Sequence, residues 1–330
     1  MTLLVTGAGG FVGLNVLERA LAAGESVLAV DAGPLFRPAV EVFGRLPGTL
    51  EVVLADVRSR EAVREAFAGR TITRVIHGAA ITLGPASTIA PADAVIDVNV
   101  LGTRNVLEAA AEAGVSRFVY PSSSAVYGAA PFEGRPVTEE TEARPTGIYG
   151  FTKLASERLL LAAQKDGVMD VAIGRVTAVF GAWEHETGVR ETLSPPFQLA
   201  AEALSGSLAR MPEGGARDWT SSRDVAAALL ALAGAPRLKR RIHNISLGET
   251  WHPSLLASAL AARLGRPVAE TAPAAEATIA FNDDATAVRS PVDAGRIRAD
   301  LGVTFMSPAE AVEDYADWVL AHGLAALGRA

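Results

Sequence analysis

The sequence predicts an α/β fold: a doubly wound parallel (Rossmann) sheet with a smaller, interleaved C-terminal region. Three observations lead there. Short apolar runs alternate with helical patterns through the first half of the chain. A glycine cluster, Gly7-Ala8-Gly9-Gly10, joins the first run to the first helical pattern. After Gly181 the alternation gives way to stretches mixing Pro, Gly and charge, at 182–216 and again at 266–292.

The strands are expected at Leu3–Thr6, Ser26–Val30, Leu50–Leu54, Arg74–His77, Phe118–Pro121 and Val171–Arg175. Helices are expected near Phe11–Ala23, Arg60–Ala68, Pro91–Ala113 and Ile148–Lys165. The runs at Leu50 and Arg74 do not alternate cleanly, as expected of strands covered on both faces. Ser222–Ala233 reads as a helix and Arg241–Ser246 as a strand, a unit able to rejoin the first sheet. Pro308 opens a last amphipathic helix, with Ser307 as its N-cap. These boundaries divide the chain into a nucleotide-binding domain, 1–180 with 218–248 rejoining it, and a substrate-binding region, 181–217 and 249–330.

Composition narrows the function classes. Of the 330 residues, 49% are apolar and 20% charged, enough for a sizeable core without staples. The absence of cysteine excludes disulfides, thiolate nucleophiles and Cys-ligated metals. The first residues read as a strand rather than a signal peptide, and the longest apolar stretch, Val225 to Ala233, is too short to span a bilayer. A soluble cytoplasmic protein is expected, without a membrane partner. The net charge is −7, and the one basic run, Arg237–Arg241, reads as a solvated loop, so no nucleic-acid partner is expected.

The glycine cluster has a chemical reading. Gly7, Gly10 and Gly13 permit a tight bend, a close backbone approach to a pyrophosphate and close packing of helix on strand. The helix opening at Phe11 and Val12 then presents unpaired N–H donors and a positive dipole end. Val12 stands where the commoner G-x-G-x-x-G spacing has its third glycine, so a plain tight turn is the competing reading. Asp31 ends the second strand, where a carboxylate accepts from ribose hydroxyls and repels a 2′-phosphate; this predicts NAD as cofactor rather than NADP. Initiation of the loop Asp31–Pro34 is the alternative for that residue. Asp56 and Val57 follow the third strand and are candidates for the adenine contact, with helix capping equally open for Asp56. Ala79 and Ala80 close the fourth strand with small side chains, letting backbone face the cofactor. His77 reads as a packed strand-end residue.

A second constellation carries acid–base chemistry. Pro121-Ser122-Ser123-Ser124 leaves the fifth strand at the carboxyl edge of the sheet, where ligands bind in such folds. Further along, Tyr149-Gly150-Phe151-Thr152-Lys153 opens a helix, and a spacing of four puts Tyr149 and Lys153 on one face. A phenol with an ordinary pKa of about 10 is a poor base at neutral pH. A nearby ammonium and the positive nicotinamide ring both favour its phenolate. Tyr149 would take a hydroxyl proton as hydride leaves the same carbon, and Ser123 would hold the substrate oxygen. A surface pair at i,i+4 is the competing reading for Tyr149 and Lys153, and a plain turn for Ser122 and Ser124.

Together these residues resemble the extended short-chain dehydrogenase/reductase family, in its NAD-dependent epimerase/dehydratase branch. The resemblance runs nearly end to end: the glycine loop, Asp31, Asn99-Val-Leu-Gly102-Thr103, Ser122-Ser-Ser-Ala-Val-Tyr-Gly128, Tyr149-x-x-x-Lys153 and Arg217-Asp218-Trp219. It implies Ser123, Tyr149 and Lys153 as the catalytic trio, Lys153 also holding nicotinamide ribose. It further implies Asn99 in the cofactor pocket, where an ordinary helix-surface amide is the alternative, and a homodimer joined through the long helices. Thr82, Ser124 and Arg217 are candidate substrate contacts, with Arg289 as a second arginine. Forked guanidinium groups suit phosphate and carboxylate equally, and a structural ion pair is the alternative for both arginines.

The chain also departs from the branch. Ser124-Ala125 stand where dehydratases carry the Asp-Glu of their elimination, so a 4,6-dehydratase is not expected. Ala178 stands where nucleotide-sugar members carry Asn. Residues 181–196 hold Trp183, Glu184, His185, Glu186, Arg190 and Glu191 close together; Arg190 is a candidate for an anionic substrate group, and no metal site is expected. Two readings therefore compete closely, a dehydrogenase/reductase of a sugar-like or hydroxy-acid substrate and a nucleotide-sugar epimerase that retains NAD. Ala178 tips the balance to the first. A non-catalytic NAD sensor is a third, which has no need of Tyr149.

Overall fold

The computed structural model describes residues 2–82, 92–187, 193–281 and 288–329. Its strands are β1 (Thr2–Thr6), β2 (Ser26–Asp31), β3 (Thr49–Leu54), β4 (Ile72–His77), β5 (Arg117–Ser123), β6 (Val171–Val176), β7 (Val179–Phe180), β8 (Ala209–Met211), β9 (Thr220–Ser221), β10 (Ile242–Ile245) and β11 (Ala269–Thr271). Seven of them form one parallel sheet in the order β10-β6-β5-β4-β1-β2-β3. The order reverses between β1 and β4, and that switch point opens a crevice at the carboxyl ends of the strands.

Burial follows position in the sheet. All six residues of β6 are buried, and so are the first six of β5, because helices cover both faces. The lack of alternation in β3 has a different cause from the one expected. It is the sheet edge, and Val52 and Leu54 stand exposed on it.

The helices are α1 (Phe11–Ala22), α2 (Arg37–Phe43), α3 (Arg60–Phe67), α4 (Ala92–Ile96), α5 (Gly102–Glu112), α6 (Ile148–Lys165), α7 (Pro195–Ser205), α8 (Ser222–Gly234), α9 (Ser254–Leu264), α10 (Gly295–Leu301) and α11 (Pro308–Ala326). The single helix expected up to Ala113 is interrupted by a π-helical turn, Asp97–Leu101, between α4 and α5. A π turn brings one extra residue into the winding and re-aims the side chains after it. Beyond it Gly102 lies against Val57: a Cβ there would stand 2.7 Å from Val57 Cγ2. Short α2 and α10 and Pro-led α7 carry too few periodic positions to have been read from sequence. Ser307 caps α11 as expected, in a capping box with Glu310.

β7 and β9 pair with each other, as do β8 and β11. Asn15 ties this second half to the sheet. Its Nδ2 donates to Phe11 O (2.9 Å) and Ala182 O (2.8 Å), and its Oδ1 accepts from Ser222 Oγ (2.9 Å). One buried amide thus joins α1, α8 and the chain leaving β7. No helix among the described residues is long and apolar enough to cross a membrane.

Replacing Asn15 by Ala leaves a buried carbonyl and a buried hydroxyl without these partners, which should lower stability by about 1–3 kcal/mol. Urea denaturation checks this, and an unchanged midpoint would show that other groups replace the bonds.

Candidate active site

The turn from β1 into α1 is built by backbone crossing backbone. Gly7 has φ 64°, and a Cβ on it would stand 2.6 Å from the backbone of Gly78 and Ala79 beyond β4. A Cβ at Gly13 would stand 2.2 Å from Gly7 O. Neither position admits a side chain without moving main chain. Gly10 is the N-cap of α1, which has no side-chain cap and no acidic residue in its first turn. The positive end of α1 is therefore presented by main chain with no acidic side chain to offset it, and a helix N-terminus of this kind fits the pyrophosphate of NAD. Asp31 stands beside the turn: Oδ2 accepts from Gly9 N at 2.9 Å and Oδ1 from Gly33 N at 3.3 Å. The second bond is the loop-initiating role weighed for it, the first a brace on the glycine loop.

A cleft of about 270 Å³, partly open to solvent, runs along this edge. It gathers Gly7, Gly10, Phe11, Val12, Gly13, Ala80, Thr82, Ser123, Tyr149 and Lys153 from the sequence candidates. Four segments far apart in the chain, at 7–13, 80–82, 123 and 149–153, thus meet at one cleft.

Ser123 ends β5 and accepts from Ala125 N (3.1 Å), capping a 3₁₀ turn over Ser124–Tyr127. Tyr149 and Lys153 come from the first turns of α6. The start of α6 can approach the serine loop because residue 150 is glycine; a Cβ there would stand 2.6 Å from Ala125 O. Lys153 is buried, donates from Nζ to Pro121 O (2.8 Å), and lies 4.6 Å from the ring centre of Tyr120 and 5.8 Å from that of Tyr149. Burial pulls its ammonium down to about 7, against the nearby Glu157 carboxylate, which raises it. Ser122 also lines the cleft, but its hydroxyl is engaged: Oγ donates to buried Glu157 Oε1 at 2.6 Å. The carboxylate also receives Arg175 Nε on Oε1 (2.9 Å) and Nη2 on Oε2 (2.7 Å).

Asn99 is buried in the π turn, so it is not a helix-surface amide. Its Oδ1 accepts from Ile81 N (2.8 Å), and Nδ2 donates to Ile81 O (3.1 Å) and Thr152 Oγ1 (3.0 Å). It does not line the cleft; it sets the chain between Ala80 and Thr82, which do, against α6. His77 is fully buried between Thr6 Oγ1 (2.6 Å) and Thr103 Oγ1 (3.0 Å), and burial holds its pKa down to about 3. It is a packed strand-end residue.

Other candidates lie elsewhere. Asp56 forms an exposed pair with Arg58, whose guanidinium holds the carboxyl below its ordinary range, and the N-cap of α3 is Ser59 instead. Val57 is packed in the core, where its carbonyl accepts from Asn105 Nδ2 (2.9 Å). Ala79 N donates to Thr6 Oγ1 at 3.3 Å, behind Gly7. Ser124 stands in the 3₁₀ turn outside the cleft lining. Arg217 is buried over the Trp219 ring and Arg289 stands over Phe132, and neither lines this cleft. Arg190 lies outside the described residues. Glu184 caps α7 through Ser194, receiving N–H at 2.7 Å and Oγ–H at 2.6 Å.

Thr177, Ala178, Val179, His185 and Thr187 complete the wall without having been assigned to the cofactor or substrate. His185 stacks on Phe36 with centroids 4.3 Å apart and donates Nδ1–H to Trp183 O (2.9 Å), while Trp183 carries φ 66°. The cluster of unusual residues after Gly181 was the only signal for this wall.

The sequence profile of the NAD dependent epimerase/dehydratase family matches residues 3–248. A UDP-glucose 4-epimerase of Streptomyces lividans is 29% identical over 81% of this chain and 82% of its own length. A 3 beta-hydroxysteroid dehydrogenase/Delta 5-->4-isomerase of Mycobacterium tuberculosis is 37% identical over 54% of this chain and 47% of its own. Several other curated relatives are likewise matched over only about half their length, 41% to 51%. The solved structure of MoeE5 in complex with UDP-glucuronic acid and NAD is 28% identical, with TM-score 0.75 over 97% of this chain and 99% of that one.

The depressed pKa of Lys153 has a consequence for stability. An unfolded lysine stays protonated to about 10.4. Between about 7 and that value the unfolded chain binds the extra proton, so this residue makes stability rise with pH. Lys153→Met removes the slope. In urea denaturation of NAD-stripped protein, the variant's advantage over wild type should shrink from pH 7 to 9; a constant difference would contradict the burial argument.

Proposed function

Because this chain belongs to the NAD-dependent epimerase/dehydratase family, we propose that it transfers hydride at a secondary alcohol or ketone of a sugar-like or hydroxy-acid substrate. The observation that carries this reading is the convergence of Ser123, Tyr149 and Lys153 on the cleft that the glycine loop closes. NAD, when bound, supplies the hydride acceptor or donor. Gly7, Gly10, Gly13, Phe11 and Val12 would hold its pyrophosphate, Asp31 its adenosine ribose and Lys153 its nicotinamide ribose. In this scheme residues 1–180 with 218–248 bind the cofactor, and 181–217 with 249–330 grip the substrate.

The proton chemistry falls to the chain. Ser123 Oγ accepts from Ala125 N, which leaves its O–H to donate to the substrate oxygen. Tyr149 takes the hydroxyl proton during oxidation and returns it during reduction. The Lys153 ammonium stabilises the phenolate, and the phenolate in turn restores the ammonium that burial disfavours. Thr82 and the wall at Ala178 and Thr187 would meet the rest of the substrate. Ala178 offers a methyl where an amide contact to a sugar nucleotide is expected, which favours a net dehydrogenase or reductase.

A second reading, a nucleotide-sugar epimerase cycling on retained NAD, draws support from the near full-length likeness to a UDP-glucose 4-epimerase and to MoeE5. In either case exposed Ile96, Leu101 and Phe151, on α4, the π turn and α6, favour a homodimer through these helices.

Denaturing freshly purified protein and assaying the supernatant decides between the two. Stoichiometric NAD, released only on denaturation, points to the internal cycle and a screen of nucleotide sugars. An empty protein that binds NADH reversibly points to the dehydrogenase and a screen of aldonates, uronates and free sugars. In whichever reaction is found, Tyr149→Phe should cut turnover by about 10²–10⁴-fold while NAD still binds. Unchanged turnover would remove Tyr149 from the mechanism.

A further inference from the structure

Lys153 has a rival partner on its own helix. Glu157 follows it by four residues on α6, the spacing at which a carboxylate and an ammonium meet. Yet Lys153 Nζ bonds Pro121 O instead, at the end of β5 beside Tyr149. The Glu157 side chain is 1% exposed, so water cannot serve its oxygens. They are served by Arg175 through two guanidinium bonds (2.9 and 2.7 Å) and by Ser122 Oγ (2.6 Å).

We propose that Arg175 is a positioning residue for Lys153: by occupying the Glu157 carboxylate, it keeps that carboxylate from drawing the ammonium away from Pro121 O and Tyr149. This inference rests on the reading of Tyr149 and Lys153 as the acid–base pair. A fork fits the task where a single ammonium does not, since both carboxylate oxygens must be held at once. Arg175 is itself held: its guanidinium lies 4.8 Å from the ring centre of Tyr127, whose hydroxyl donates to Asn244 Oδ1 at 2.6 Å. Asn244 N in turn donates to Glu139 Oε1 (2.7 Å). Ser122 and Tyr127 flank the catalytic loop, so this buried chain of bonds fixes both of its ends.

The groups facing Lys153 are few. Glu157 and Tyr149 share its helix, Tyr120 comes from β5, and neutral His77 from β4. Among the described residues, Glu157 is the one anion that raises its affinity for a proton. With Arg175 removed, that carboxylate becomes the ammonium's partner.

The chain has only three lysines, Lys153, Lys165 and Lys239, so the ¹³Cε resonances of lysine-labelled protein can be followed individually through a pH titration. Lys153→Met assigns the signal. Arg175→Met should move the Lys153 midpoint up by about one pH unit or more, and weaken NADH binding with it. Glu157→Gln combined with Arg175→Met should return the midpoint to the wild-type value or below, a rescue that mere loosening of the fold would not produce. If Arg175→Met fails to fold, Arg175→Lys, which keeps the charge but loses the fork, should shift the midpoint in the same direction by less. An unmoved midpoint in every folded Arg175 variant, or a raised one that the added Glu157→Gln leaves raised, overturns the inference. The outcome is read from Lys153 itself, so it stands apart from whether Tyr149→Phe abolishes turnover.

Discussion

A carboxylate buried against the sheet has to be paired, and in this protein the pairing of Glu157 sets the positions of Ser123, Tyr149 and Lys153. Removing one partner of a buried ion pair costs about 3–5 kcal/mol, far more than the pair contributes as a whole. The fork from Arg175 on β6 and the hydroxyl of Ser122 on β5 therefore pin α6 to two neighbouring strands. Ser123 is one residue from that pin, Lys153 about one helical turn and Tyr149 about two. Polar groups placed at such depth serve geometry more than stability.

The cofactor side is organised by a different constraint, the crossing of main chain on main chain. Gly7 meets the backbone of Gly78 and Ala79 at the switch point, and Gly13 meets that of Gly7 and Ala8, in both cases with no room for a Cβ. The chain beyond β4 is then held by Asn99, whose amide bridges Ile81 and Thr152. The π turn serves this purpose: it rotates Asn99 inward while Gly102 settles on Val57. The chain beyond β4 and helix α6 are thus fastened through one side chain that does not itself line the cleft.

The third wall is organised around Trp183. Trp183 is held in a backbone conformation unusual for a large residue, buried among Phe43, Trp318 and His322 and bonded to Glu18 (3.0 Å). Such strain persists only where surroundings over-determine it. The turn it creates sets His185 on Phe36 and brings Thr187 to the cleft. Ala178 lines the same wall, between Thr177 and Val179.

The sequence by itself determined the parallel sheet, the glycine turn and the pairing of Tyr149 with Lys153, because these rest on local rules. Period, glycine placement and a spacing of four on a helix act within a few residues. It also gave the right cap at Ser307 and the right character to His77. Tertiary structure alone decided which serine hydroxyl is tied to Glu157, since Ser122 and Ser123 both line the cleft and only the partners of their hydroxyls differ. It alone buried Asn99, through a π turn that leaves no mark in the hydrophobic period. It moved Asp56, Val57, Arg217 and Arg289 away from the cleft lining and brought His185 and Thr187 to it. Those assignments depend on contacts between residues tens to hundreds of positions apart, and such contacts exist only once the sheet has closed and each buried polar group has found its partner.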